Sequence, residues 1–186
     1  MTDIGRHAGG TFIEQRLRRI FPEVGPIEGS RSGQAPSMAH ALEKVTLALQ
    51  AQAGCPVTFS RTTATEEAGV YQVVVQYSEE AVGRLALELA EKLCQSATEG
   101  HGFDLESALA QLHELDEDVR LGPSTGSIVD AAVARGVPFR RLTDGSLVQF
   151  GWGSQQRRIQ AAEIDSTSAI AESIAQDKDL TKQLLH

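Results

Sequence analysis

The sequence predicts an α/β fold of the α+β kind, with one small sheet covered by helices over residues 1–120 and a second, shorter α/β unit over 121–186. Three observations carry this reading. Val70–Tyr77 (VYQVVVQY) is a β-branched and aromatic run, the composition of a strand. The stretches on either side of it place apolar residues at helical spacing, which marks amphipathic helices. At Leu121 the character changes, and the signals then run turn, helix, strand, turn, strand, helix.

Thr11–Phe21 reads as a short helix with Phe12, Ile13, Leu17, Ile20 and Phe21 on one side. The Gly-, Pro- and Ser-rich stretch 22–36 reads as a loop. A stronger helix is expected over 36–53. Pro36 suits its first turn, Gly54 suits its stop, and Met38, Leu42, Val45 and Leu49 give the period. After the strand, Ser78 is placed to cap a helix whose first turn holds Glu79 and Glu80 near the positive end of the dipole. Val82, Leu85, Leu89 and Leu93 carry that helix to about Ala97, and Asp104 caps the next, over 105–118. In the second unit, Ser124 or Thr125 is the expected cap of a helix through Ala134, which Gly136 ends. Pro138–Leu142 and Leu147–Phe150 are short strands split by the turn Thr143-Asp144-Gly145. Gln156–Ile164 is extended, and 167–176 and 177–185 are helical.

Composition narrows the function classes. Of 186 residues, 41% are hydrophobic and 23% charged, a globular rather than a disordered balance. No apolar run approaches the roughly 20 residues of a membrane helix, and Met1–Gly10 is polar and Gly-rich, unlike a signal peptide. The two cysteines, Cys55 and Cys94, lack metal-ligand spacing. A cytoplasmic chain with reduced thiols is therefore expected, with no membrane partner. A net charge of −8 argues against nucleic acid as a partner. The charges are segregated: Arg16, Arg18 and Arg19 cluster near the start, while Glu99–Asp118 holds seven acidic residues and no Lys or Arg. Such faces are either solvated surface or complementary to a zwitterionic partner.

His40-Ala-Leu-Glu43 falls one residue short of an H-x-x-E-H metal motif, because position 44 is Lys. One His with one Glu cannot close a metal site, so no metal is expected, and His40 and Glu43 are expected to form a surface or domain-contact pair. The histidines at 7, 101, 113 and 186 are scattered and give no triad, so no catalytic residue is assigned. Gly151-Trp152-Gly153 lacks the G-x-x-x-x-G-K-[ST] pattern and reads as a tight turn. Leu121-Gly122-Pro123-Ser124-Thr125 presents two hydroxyls at a helix start. That is either ordinary capping or a small anion site made by free N–H groups and the helix dipole.

Several segments carry a family resemblance: LGPST at 121–125, RGVP at 135–138, LVQFGWG at 147–153, QRRIQA at 156–161, TSAIA at 167–171 and DKDLTKQLL at 177–185. In that order they resemble cyanophycin synthetases, nearly continuously over 120–185. VYQVVV at 70–75 and AEKLCQS at 90–96 are similar more loosely. Residues 38–54 look like the family helix GHIxEHVxLELQxLAG, with Lys44 in place of its second His and Ala48 in place of a Glu. The family's Gly-Gly-Phe stretch and leading strand are not recognisable.

The resemblance implies an ATP-dependent amide ligase that polymerises aspartate and arginine. Residues 1–120 would be its N-terminal, polymer-contacting domain, and 121–186 the first subdomain of its ATP-grasp domain. ATP and Mg²⁺ would act in the complete enzyme, and a Mur-ligase-like domain would add Arg to the Asp side chain. The partners implied are the cyanophycin chain and the rest of the ligase, with homo-oligomerisation left open. By resemblance, Ser124 and Thr125 hold the growing polymer's C-terminal carboxylate, and Lys178 lies near the nucleotide phosphates, as a compact ammonium can. Arg16, Arg18 and Arg19 are candidates for the polymer's carboxylates, and Glu114, Asp116 and Glu117 for its guanidinium groups. The chain alone is expected to be inactive. The other reading is a stand-alone polymer-binding or regulatory module.

Overall fold

Residues 5–27, 37–161 and 163–185 are described by the structure, a computed structural model, with side chains described from Phe12 onward. Two compact units divide the chain, residues 1–119 and 120–186.

The first unit is made of α1 (Gly5–Ile20), α2 (Met38–Gln52), α3 (Glu80–Glu99) and α4 (Leu105–Val119) with a hairpin of β1 (Ser60–Ala64) and β2 (Tyr71–Val75). The strands pair antiparallel, with Thr62 opposite Val73. α2 packs on one face of the hairpin and alongside α3, and α1 and α4 pack on α3. The apolar spacing of these helices builds one core from Leu17, Phe21, Val45, Leu49, Val82, Leu93 and Leu112. Each such side chain contributes about 1.5–3 kcal/mol by leaving water.

Four features depart from the sequence reading. α1 begins earlier than Thr11. β1 was not expected, because Ser-Arg-Thr-Thr-Ala shows no apolar alternation; it forms against β2 and uses its hydroxyls on α2. The N-cap of α3 is Glu79, and Ser78 lies outside the helix. α2 starts at Met38 after Ser37, and the expected first-turn Pro36 lies outside the described residues. α3 runs to Glu99, near the expected end at Ala97, and Gly100 closes it in the left-handed region at φ 79°, where only glycine is unstrained. The expected cap of α4 holds. Asp104 Oδ1 accepts the Ser107 N–H at 3.0 Å, a capping bond at the start of α4.

The second unit runs α5 (Pro123–Ala134), β3 (Phe139–Arg141), β4 (Leu147–Phe150), a 3-10 turn (Gly153–Gln155), β5 (Arg157–Gln160), β6 (Glu163–Ile164), α6 (Ala169–Gln176) and α7 (Lys178–Leu185). Its strands form an antiparallel meander in chain order. The extended stretch 156–164 is thus two strands, bent where Ala161 takes φ 54°. Gly122, not Ser124 or Thr125, is the N-cap of α5, with Pro123 in the first turn. Proline there gives up an N–H that the helix does not use. The core of this unit is small: Val129, Val148 and Ile159, with Leu121 and Phe150 against them. Among the described residues, no helix is long and apolar enough to cross a membrane.

Candidate functional site

One face of α2 is polar and buried. His40, Glu43, Thr46 and Gln50 recur at three- and four-residue spacing, which puts them in one row, and none exceeds 5% exposure. Of the surface or domain-contact pair expected for His40 and Glu43, this corrects the surface role, since both side chains are buried. The row faces the hairpin, whose alternate residues Ser60 and Thr62 of β1 point back at it.

Each member finds partners in that layer. The Ser37 N–H donates to His40 Nδ1 at 3.2 Å. With Nδ1 as acceptor the neutral ring carries its proton on Nε2, and that atom is buried without a partner. The ring of Tyr71 meets His40 edge-on at 5.9 Å. Glu43 Oε1 accepts the Ser60 hydroxyl at 2.6 Å and lies 3.3 Å from Lys44 Nζ. Burial pushes this carboxyl up. The hydrogen bonds from Ser60 and Thr62 and the charge of Lys44 outweigh it, so the group titrates below the ordinary carboxylate value. The Thr46 hydroxyl donates to Leu42 O at 2.7 Å. Gln50 Nε2 donates to Gln76 O at 3.1 Å, while its Oε1 is buried with no partner.

Beside this row opens a cavity of about 470 Å³. Leu42, Thr46 and Gln50 form one wall, Val73 and Val75 of β2 another, and Tyr77, Gly83 and Leu87 a third. Glu80 and Arg84, which also line it, form an ion pair at 2.7 Å. Sequence reasoning missed Thr46 and Gln50, although a polar residue every third or fourth position inside an otherwise apolar helix was a readable signal.

The charged candidates are not equally available. Arg16 Nη1 donates to Ala97 O and Thr98 O at 3.0 and 3.1 Å, and its guanidinium lies 4.3 Å from the Phe12 ring centre. It therefore ties α1 to the carbonyl end of α3, where a cation is favoured. Arg18 pairs with Glu14 at 2.9 Å, and Arg19 is exposed. Glu114 and Glu117 are exposed, with His113 Nε2 3.6 Å from Glu117. Asp116 is not on the acidic face: it is buried and accepts the Cys55 thiol at 3.6 Å. In the second unit Ser124 is exposed and Thr125 is buried, so of the pair only Ser124 faces solvent. Lys178 opens α7 and is exposed. Glu163 on β6 shares a hydrogen bond with Glu172 on α6, which raises the Glu163 carboxyl above its ordinary value. Among the described residues no three His, Cys, Asp or Glu side chains converge as a metal-ligand set.

Residues 13–99 match the family described as "Cyanophycin synthase-like N-terminal domain", a span that covers the buried row, both strands and the cavity. The chain is 39% identical over 158 residues to the cyanophycin synthetase of Trichormus variabilis, which covers 83% of this chain and 18% of that protein. It is 40% identical over 151 residues to that of Geminocystis herdmanii, covering 80% and 17%, and 36% identical over 159 residues to that of Synechocystis sp., covering 84% and 18%. The chain thus spans less than a fifth of the length of these relatives. Residues 13–99 belong to the cyanophycin synthetase N-terminal domain family, and the chain is homologous to the N-terminal region of cyanophycin synthetase.

Proposed function

We propose that this chain serves as the N-terminal portion of a cyanophycin synthetase-like, ATP-dependent amide ligase acting in the cytoplasm on aspartate and arginine. In this reading the first unit holds the polymer, and the second is the opening of the ATP-grasp domain, which it helps to scaffold. The observation that carries it is the family match over 13–99 together with identities of 36–40% over 80–84% of the chain, stretches too long to lie within the first unit alone. Ser124, exposed in the first turn of α5, is the candidate for the polymer's terminal carboxylate, since free N–H groups there favour an anion.

The residues present do not by themselves fit a Mg²⁺-nucleotide. Lys178 is exposed, and among the described residues no acidic set converges near it or elsewhere. We therefore assign this chain no nucleotide-dependent step; ATP and Mg²⁺ belong to the complete ligase. Two measurements test the reading. The chain incubated with ATP, Mg²⁺, Asp, Arg and primer should release no phosphate above background. It should nonetheless be retained on insoluble Asp-Arg polymer. Turnover by the chain alone, or absence of retention, would each overturn the corresponding half.

A further inference from the structure

An antiparallel partner engages only alternate residues of a strand. The Thr65 N–H donates to Val70 O, and the Gln76 N–H to Phe59 O. Carried through the register from Ser60 opposite Val75 to Ala64 opposite Tyr71, these bonds make Val70, Gln72, Val74 and Gln76 the residues that β1 engages. The N–H and C=O groups of Tyr71, Val73 and Val75 therefore point away from β1. β2 is an edge of its sheet, and no described residue bonds to those outward groups. The side chains of Val73 and Val75 line the cavity beside that edge. So does Gln50, which is 1% exposed and has its Oε1 unpartnered.

Each feature asks for a particular ligand group. An open row of backbone donors and acceptors takes an extended polypeptide. Walls of Leu42, Val73, Val75 and Leu87 take an aliphatic stem. A buried amide oxygen takes an N–H donor. The Glu80–Arg84 pair, also lining the cavity, offers both signs of charge. The geometry points to the outer edge of β2 and its neighbouring cavity as the docking site for an extended polypeptide strand with N–H donors on aliphatic side chains. That strand adds to the sheet along Tyr71–Val75 and places one side-chain donor on Gln50 Oε1. The inference rests on the polymer-contact reading and deepens it. A branched Asp-Arg polypeptide offers the main chain for pairing and side-chain amides and guanidinium groups as donors. The contact then lies on β2, not on Arg16, Arg18, Arg19 and the acidic face of α4.

The test is residue-resolved amide exchange on the full chain, with and without soluble branched Asp-Arg oligomer. Without oligomer, Tyr71, Val73 and Val75 should exchange fast while Gln72 and Val74 are protected. With oligomer, the three outward amides should slow by about tenfold or more as they gain partners. Val73→Pro removes one outward N–H and leaves the β1 ladder whole, a position where an edge strand tolerates proline. It should weaken oligomer binding by about fivefold, the worth of one hydrogen bond. Gln50→Leu removes the acceptor and should weaken binding as well, and an unchanged unfolding midpoint in either variant shows that the fold is retained. If the oligomer binds but protects other amides, and Val73→Pro binds like the parent, the docking site is wrong while the polymer-contact reading stands. If the oligomer does not bind the parent, both fall. If the three amides become protected with rising protein concentration alone, a second copy occupies the edge and the proposal is overturned.

Discussion

At the scale of single residues, the polar row on α2 divides what the sequence reveals from what it hides. His40 and Glu43 stood out as residue types, but their burial could not be read. Their partners come from β1, a strand with no apolar alternation, and Ser60 lies 17 positions from Glu43. A helix-periodic reading of 36–53 finds the apolar face and treats everything else as surface. Lys44 explains how a carboxylate survives there: its ammonium lies 3.3 Å away and is about one third exposed, so the charge on Glu43 is matched without burying two ions. Glu43→Ala should destabilise the first unit by about 1–3 kcal/mol, because the Ser60 hydroxyl loses its acceptor and Lys44 its counter-charge. Urea unfolding at neutral pH measures this, and a loss inside experimental error would refute it. The pH dependence has a definite sign. The Glu43 carboxyl is depressed in the folded chain, so its contribution is fully present above the ordinary carboxylate value and fades as pH falls through the lower, folded one. Glu43→Gln should therefore lose less stability than the parent between neutral and acid pH.

At the scale of elements, existence was more legible than ends. Regular apolar spacing places α2, α3 and α4, and β-branched content places β2, because both patterns are dictated by a single buried face. Caps depend on where the preceding chain enters. That is why Ser78 gave way to Glu79, and Ser124 or Thr125 to Gly122. In the second unit a positive φ at Ala161 splits one apparent extended stretch into two strands, and nothing in an alanine signals that. Gly83 gives a test in which packing and propensity oppose each other. It sits in the first turns of α3, where Gly→Ala ordinarily gains about 1 kcal/mol. Here a Cβ would stand 2.7 Å from Tyr77 Cβ and 3.2 Å from its Cγ, and the first of these atoms is fixed by the backbone and cannot swing aside. Gly83→Ala should therefore destabilise, by about 1–3 kcal/mol in the range of overpacked sites, and should shift the Tyr77 wall of the cavity. A thermal midpoint above the parent's would show that Tyr77 yields freely and that the close approach has no structural role.

At the scale of the whole molecule, the two units differ in how much core they possess and in how their identity could be read. Among the described residues, nineteen buried apolar ones from all four helices and the segments joining them make the core of the first unit, and three make that of the second. The first unit is therefore legible through periodicity. In the second, short strands and exposed helices leave little period, and recognition came from an ordered string of family-like segments rather than from any physical pattern. The same inequality governs dynamics. α6 and α7 have no buried residue, and the sheet of the second unit is anchored mainly by Val148 and Ile159 against Val129. Local opening follows the density of buried apolar contact, so protection should fall in a set order. Amides of Leu49 and Leu93, whose side chains are fully buried, should exchange only through global opening of the first unit. Val148 and Ile159 should exchange through a cheaper opening, and the described residues of α6 and α7 faster still. Hydrogen exchange under native conditions, repeated at rising sub-denaturing urea, measures each class separately. Protection of Val148 and Ile159 equal to that of Leu49 and Leu93 across the urea series would mean that one cooperative transition covers the whole chain, and the two cores would then not be energetically separate.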